Sequence, residues 1–585
     1  MLAIVALVFA WVFVVQTLGW ADSSHYALVR SLSHGTPKID RYHWETRDVA
    51  YRDGHYYSVK GPALAALTLP LYEGLKAVDA QTVARRAATT AREHGSRRWE
   101  PFTVQLGIYG YDFDRAVKTR KTLENETPMV WALRLLGATL PALLLLLLVR
   151  SLAERVERGF GTAAAVTLGL GTLVMPFATL FFSHLLAALL AFAAFAVLWR
   201  EREGPPRLVL LPAAGALAGL AVTAEYPLAL GGVVLGLYAI ARRPGIVRRG
   251  VAYAGGAIAG AAPLLAYNVW AFGSATHFSY SDAVKIPGGS GHDVLGLNDG
   301  GFFGIRTPTL HHAEQLLVAP KGLLTLSPVL AMAAVGTVLL YRRGRRAEAL
   351  AIGGMSLAYL IYNSGYYLPF GGGSPGARFL IPILPFLAVS LALAYRRFPA
   401  TTIALAAPSA AMMVAATAAK PLLGNQDAGF WADLIGHGDF EHTLATLVGA
   451  GHGFGAIAPF ALAAVLAGVL AARATPVVPL LRADVWAGAA ALVAWVAVAA
   501  VAPDLLGDTS AVGGDPGAIE LIAGGAACGA LALSALALTR RGRAPLRRAT
   551  PAAAAGPTPD APASAPTAFR ARIPGAGSRS ARRVT

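Results

Sequence analysis

The chain has 585 residues, of which 55% are hydrophobic and 14% are charged, and its formal net charge is +17. A soluble domain usually carries about 25% charged residues, so this composition excludes a soluble enzyme, a nucleic-acid-binding protein and a disordered scaffold. The apolar residues fall in blocks of roughly 15–22, the length that crosses the hydrocarbon core of a bilayer. The sequence therefore predicts an all-α polytopic membrane protein.

These apolar blocks predict about fourteen transmembrane helices. They lie at residues 1–20, 129–149, 161–178, 180–199, 208–225, 228–241, 250–270, 323–341, 348–366, 379–395, 400–419, 453–472, 485–503 and 517–539. The segment 61–78 is predicted to lie at the outer membrane interface, although its composition also permits a further span.

Arginine and lysine are distributed unevenly between the short loops. If the N-terminus is cytoplasmic, the arginine-rich loops all fall on the inner side, as in most membrane proteins. The long polar loops then face outward; they are residues 21–128, 271–322, 367–378 and 420–452. Residues 540–585 hold ten arginines against one aspartate and are predicted to form a disordered cytoplasmic tail near anionic lipid, with no nucleic-acid partner. Any chemistry is therefore predicted on the extracytoplasmic face of the plasma membrane.

The first outer loop holds candidate catalytic carboxylates and a candidate phosphate ligand. Asp22 directly follows an apolar segment, where partial desolvation can raise the pKa of a carboxylate and suit it to act as a general base. The structural alternative is an aspartate that caps a helix. Lys60 precedes a Gly-Pro turn and could bind a lipid phosphate, or be an ordinary interfacial lysine. The other candidates in this loop are Tyr26, Asp48, His55 and Tyr57.

Later segments add three more candidates. Residues 370–382 place Arg378 behind a glycine-rich outer loop, where a guanidinium can bind phosphate and glycines allow the backbone to approach it. Glu225 is an ionisable residue in an apolar context, and such a residue usually has a function. Asn268 lies in an aromatic run whose rings suit a sugar face, a polyprenyl chain or an interfacial belt.

The sequence lacks the spacing of a metal site, a Walker loop or a nucleophile elbow. His311, His312 and Glu314 are close in sequence, but no second group of ligands accompanies them. His184 is more typical of a hydrogen-bonded core histidine than of a ligand. We therefore predict neither a metal nor a cofactor.

Four segments together resemble the GT-C superfamily of membrane glycosyltransferases, in the bacterial branch similar to protein O-mannosyltransferases and lipid A aminoarabinose transferases. The segments are the Asp22–Tyr26 junction, Tyr57-Ser-Val-Lys60-Gly-Pro62, Tyr267-Asn268 through Phe272-Gly273-Ser274, and the pair Lys321–Pro328 and Gly373–Pro382. The resemblance covers most of residues 1–400, which are expected to form a GT-C-like catalytic module. Residues 401–539 are expected to add transmembrane helices.

The resemblance implies an inverting transfer of a sugar from a polyprenyl-phosphate carrier to an envelope glycan, lipid or protein. Asp22 would act as the base, and Lys60 and Arg378 would hold the donor phosphate with Tyr57 beside them. Ser23 departs from the family pattern at this junction, so Asp48 or Asp53 remain alternative bases. Apart from the roles that the resemblance implies, we predict that Tyr26, His55, Glu225 and Asn268 line the substrate site. A transporter or flippase of a lipid-linked or polar solute, and a non-catalytic subunit of an envelope glycan assembly complex, remain alternatives.

Overall fold

The computed structural model describes residues 1–94, 113–205, 207–242, 245–283, 297, 302–423, 429–506 and 518–541. The predicted basic tail lies outside the described residues beyond residue 541. Residues 1–540 form one compact unit in which α-helices predominate. The prediction of a helical membrane protein is therefore confirmed, with two small two-stranded sheets added to it.

The helices, in chain order, are α1 Leu2–Phe13, α2 Trp20–Ser33, α3 Ala63–Ala77, α4 Ala80–Glu93, α5 Phe113–Arg134, α6 Leu140–Val156, α7 Gly161–Gly171, α8 Val174–Phe177, α9 His184–Glu203, α10 Leu210–Ala224, α11 Leu228–Ile240, α12 Ile246–Phe272, α13 Leu310–Val318, α14 Leu323–Leu326, α15 Val329–Arg342, α16 Arg346–Ser364, α17 Leu384–Arg397, α18 Pro399–Ala419, α19 Gly429–Gly436, α20 Leu444–Leu447, α21 Phe454–Ala474, α22 Arg482–Leu506 and α23 Ala518–Arg541. The strands are β1 Val14–Val15, β2 Val49–Arg52, β3 His55–Ser58 and β4 His442–Thr443.

Within the described residues, eight helices are long and apolar enough to cross a membrane, or nine if one bent pair is a single span. They are Thr122–Val156, His184–Glu203, Ile246–Phe272, Arg378–Arg397, Pro399–Ala419, Phe454–Ala474, Arg482–Ala502 and Ile519–Leu538, and the pair is Leu310–Leu326 with Val329–Arg342. The predicted count of fourteen is not confirmed. Several predicted spans are helices too short to cross alone, since 12 residues of helix extend only about 18 Å.

The predicted first span, residues 1–20, is wrong in its length. The helix α1 ends at Phe13, and Val14 and Val15 leave it to pair with Thr443 and His442. Arg134 satisfies the carbonyl groups freed at this break, because its guanidinium donates to the main chain of Trp11 and neighbouring residues. The chain then starts a separate helix, α2, outside the apolar segment.

The helices α10 and α12 pack backbone to backbone through small residues. A Cβ added to Gly215 or Gly219 would lie about 2 Å from main-chain oxygen on α12, and one on Gly256 or Gly260 would lie as close to α10. Two facing small-xxx-small patterns of this kind are typical of membrane helix pairs. This packing fixes the end of α10, where Glu225 follows the helix.

Two chemically different ends of the bundle result from the helix directions. One end collects the starts of α2 and α9, the end of α10 and the residues just before α17. The other end carries exposed ion pairs, such as those that Glu203 makes with Arg155 at 3.0 Å and with Arg345 at 2.8 Å. This separation agrees with the predicted orientation, which stays a prediction.

Candidate active site

A β-hairpin brings the candidate lysine and a carboxylate together. The turn Asp53-Gly54 has positive φ at both residues, as a two-residue hairpin turn requires, and Val49 pairs with Ser58 across the strands. Antiparallel pairing brings the residue before β2 close to the residues after β3, so Asp48 lies beside Lys60. The Lys60 Nζ is 2.6 Å from an oxygen of the Asp48 carboxylate, and both side chains are largely buried.

Arg378 reaches the same place from a glycine-rich loop. Its Nη1 donates to the carbonyl of Gly373, while its buried Nε has no hydrogen-bond partner among the described residues. The rings of Phe182 and Phe379 lie 5.5 and 5.2 Å from the guanidinium carbon. Gly371 has φ +78° and touches the arginine so closely that a Cβ there would lie 2.3 Å from Nε. The loop therefore requires glycine at this position and holds the guanidinium with donors to spare.

Two cavities meet at these two cations. A small cavity of about 50 Å³ is lined by Trp20, Asp48 and the glycines 371–373, and a larger one of about 400 Å³ extends to Glu225. Both are lined by Lys60 and Arg378, with Ala21, Phe182, Tyr280, Tyr366 and Phe379. An anion in the small cavity would therefore have both cations in the wall around it.

Asp22 lies beneath this junction and is enclosed. One carboxylate oxygen accepts from the backbone N–H of Phe181 at 2.7 Å, and the other accepts from that of Gly19 at 2.9 Å. Burial raises the pKa of Asp22 to about 6, although these hydrogen bonds and the nearby charge of Arg378 act in the opposite direction. In the described structure its neighbour Ala21 lines the cavities, whereas Asp22 does not. The carboxylate therefore links the backbone at Gly19 to the backbone at Phe181, directly behind the cavity wall.

Glu225 forms the polar wall of the larger cavity. Its Oε1 accepts from the Ser183 hydroxyl and lies 2.6 Å from His184 Nδ1. The Ser183 hydroxyl is also 3.3 Å from His25 Nε2, so four side chains form one chain of contacts. Burial lowers the pKa of His25 to about 3, which keeps this imidazole neutral at physiological pH. His25 and Ser183 were missed by the sequence analysis, although His25 stands three residues after Asp22 and hence on the same face of α2.

The other predicted site residues lie elsewhere in the described structure, and they line neither cavity. Tyr57 packs its ring 5.0 Å from that of Phe272, and burial raises its pKa. Tyr26 is fully buried and donates to Glu126. His55 lies on the hairpin surface, where its Nδ1 is 2.9 Å from the carboxylate of Asp40.

Asn268 and Asp53 also lie away from the cations. Asn268 is buried near the end of α12, where its amide donates to the carbonyl of Ala275 at 3.1 Å. Asp53 is at the hairpin tip with 82% of its side chain exposed, beside Arg52. The structure thus brings together Asp48, Lys60, Arg378 and Glu225, with Asp22 behind them.

No protein-family model matches the chain, and no protein of curated function matches it in sequence. Two solved structures of ArnT from Cupriavidus metallidurans are weakly similar. The apo structure shares 16% identity over 67% of this chain and 72% of that chain, with a TM-score of 0.34. The structure bound to undecaprenyl phosphate shares 14% identity over 79% of this chain and 73% of that chain, with a TM-score of 0.35. Likeness at this level carries no residue correspondence, and the site is defined by this chain's own contacts.

Proposed function

We propose that the protein is an inverting membrane glycosyltransferase that takes a sugar from a polyprenyl-phosphate carrier. The observation that carries the proposal is the meeting of Lys60 and Arg378 at the junction of two cavities, with Asp48 in contact with Lys60. The sequence resemblance to GT-C glycosyltransferases points to the same reaction. In the proposed orientation the site opens on the extracytoplasmic face of the inner membrane, and the acceptor is an envelope glycan, lipid or protein.

The charges at the junction fit such a donor before and after transfer. Lys60, Arg378 and ionised Asp48 sum to one positive charge, which matches the single negative charge of a phosphodiester-linked sugar. The acceptor oxygen bonds to the anomeric carbon, the carbon–oxygen bond to phosphate breaks, and its electron pair stays on the phosphate. If Asp48 takes the acceptor's proton, the junction carries two positive charges against the more highly charged phosphate monoester.

Between the two proposed bases, the geometry favours Asp48. Its side chain lines the small cavity beside Lys60, whereas both oxygens of Asp22 are held by backbone N–H groups behind the wall. We therefore assign proton transfer to Asp48 and assign to Asp22 the positioning of the segments at Gly19 and Phe181. Direct action of Asp22 is the alternative, and a transfer assay of the two asparagine variants separates them.

The larger cavity suits the lipid part of the donor at its outer edge. Leu230 lines it and belongs to an apolar face of α11 on which Val233 and Leu237 are also exposed. A polyprenyl chain can enter from the bilayer along such a face, since no polar group has to be desolvated. The phosphate would then reach the cations from the membrane side.

The test measures binding and transfer separately. Purified protein in nanodiscs is titrated with undecaprenyl phosphate, and we expect Lys60→Met and Arg378→Met each to weaken binding at least tenfold, because each removes a charge-assisted hydrogen bond. Lys76→Met is the matched control, since Lys76 is a half-exposed lysine of α3 beside Glu73. Unchanged binding in both site variants would refute the donor site.

Transfer is then assayed with undecaprenyl-phosphate-linked sugars and an envelope extract as acceptor. Asp48→Asn should still bind the donor and should lose the inverting transfer of its sugar. If Asp48→Asn transfers the sugar fully and a folded Asp22→Asn variant transfers none, the catalytic base is Asp22. Movement of the lipid-linked sugar across the bilayer without transfer would identify a flippase instead.

A further inference from the structure

The chain of contacts His25–Ser183–Glu225–His184 has no part in holding a phosphate or in taking the acceptor's proton. Glu225 is anchored on one side only: Oε1 accepts both protein hydrogen bonds, and within the described residues Oε2 accepts none. The side chain keeps 18% of its surface exposed, and this surface faces the larger cavity. A fixed carboxylate with one open oxygen is a strong acceptor for hydroxyl groups.

This carboxylate is one layer of rings away from the proposed phosphate site. Phe182 and Phe379 flank the guanidinium of Arg378, and the same two rings lie 5.6 and 5.9 Å from that of His184. Lys60 and Glu225 both line the larger cavity. A group linked directly to a phosphate at the junction therefore lies within reach of Glu225.

The volumes of the two cavities favour the larger one as the place of the sugar. The larger cavity, at about 400 Å³ against about 50 Å³ for the small one, offers more room for a sugar ring together with the first part of a lipid chain. Tyr226 and Phe278 line it with their rings 5.1 Å apart, so they offer apolar surface for the face of a sugar.

We propose that Glu225 binds hydroxyl groups of the transferred sugar, with Ser183 and His184 as positioning residues that fix its carboxylate. This inference rests on the proposed function, and it makes the Glu225 wall the part of the site that distinguishes one sugar from another. Because Ser183 and His184 hold Oε1, the free Oε2 has a defined direction, and such preorganisation is what discrimination between hydroxyl patterns requires.

The experiment compares lipids with and without a sugar. Wild-type protein in nanodiscs is titrated with undecaprenyl phosphate and with undecaprenyl phosphate linked to a hexose, a pentose or an aminopentose. We expect at least one linked sugar to bind more tightly than the bare lipid. Glu225→Gln should weaken binding of that donor about tenfold and leave that of undecaprenyl phosphate within about twofold, because a neutral amide makes weaker hydrogen bonds than a carboxylate.

The matched control is Glu203→Gln. Glu203 is the last residue of α9, at the opposite end of this helix from His184, so the change should leave the binding of both lipids unchanged. Equal weakening of both lipids by Glu225→Gln would show that Glu225 has only a structural role and would overturn the inference. No weakening, or no preference of the wild type for any linked sugar, would overturn it as well. Failure of the proposed function is a distinct result, namely that wild-type protein binds no undecaprenyl phosphate.

Discussion

The contact between Gly371 and Arg378 gives a sharp test of the phosphate site. Gly371 and Gly372 are adjacent, both line the small cavity, and their φ values are +78° and +75°. An alanine at either position adopts a left-handed conformation that costs about 1–2 kcal/mol. The two positions differ in what the new Cβ meets: Nε and Cγ of Arg378 at 2.3 and 2.9 Å for Gly371, and only Leu368 at 3.4 Å for Gly372.

The backbone cost is therefore common to both variants, and displacement of the guanidinium is specific to Gly371→Ala. A hydrogen bond from a charged group contributes about 1.5–3 kcal/mol, which corresponds to roughly ten- to hundredfold in affinity. We expect Gly371→Ala to bind undecaprenyl phosphate weaker by this factor, and Gly372→Ala to bind it within about twofold of wild type.

The assay is titration in nanodiscs, with the melting temperature of each variant measured in parallel. Both variants should lose the stability that a left-handed alanine costs and should still unfold cooperatively, which separates loss of the site from loss of the fold. Equal affinities in the two variants would refute the reasoning, because they would show that the position of Arg378 does not matter for binding.

Three further predictions concern the parts of the fold that support the site. Burial raises the pKa of Asp22 from 3.8 to about 6, so the stability gained from its protonated form is complete below pH 3.8 and is lost as pH rises through about 6. Melting temperatures measured from pH 4 to 8 should therefore show wild type losing stability relative to Asp22→Asn. Parallel pH dependence of the two proteins would contradict this. Gly260→Ala should lower the free energy of unfolding by about 1–3 kcal/mol, since its Cβ would meet an α10 carbonyl at 2.1 Å, whereas Gly255→Ala, with open space around it, should not. Gly61→Ala puts a Cβ 2.5 Å from the carbonyl oxygen of Thr223 and should lower both the stability and the affinity for undecaprenyl phosphate. Normal binding by this variant would contradict the prediction, because it would show that the end of the hairpin can move without disturbing the site.

The helical class could be predicted because hydropathy is a local property of the sequence. The end of α1 could not, since β1 pairs with β4 more than 400 residues later in the chain. The hairpin was missed although Asp53-Gly54 is a typical sequence signal for a two-residue turn. Recognising it would have placed Asp48 opposite the end of β3, and hence beside Lys60.

The same reasoning explains which of the predicted residues lie at the two cavities. Lys60, Arg378 and Glu225 stand at the ends of apolar segments, where sequence alone indicates depth and side. Tyr57 is close to Lys60 in sequence, but successive residues of a strand point to opposite faces, and its ring turns into the core against Phe272. Proximity along the chain was therefore misleading inside the hairpin.

Asp22 shows why a buried carboxylate at such a site need not touch substrate. The chain breaks its regular structure at Gly19 and again at Phe181, and each break leaves a backbone N–H that has to be satisfied away from water. One carboxylate accepts from both and so fixes α2, which carries His25, against the segment that carries Phe182 and Ser183. An inactive Asp22→Asn variant would be expected from either role, because an asparagine can accept only one of these two hydrogen bonds with its single carbonyl oxygen. Only the contrast with Asp48→Asn, where the cavity wall keeps its support, separates proton transfer from the positioning of that wall.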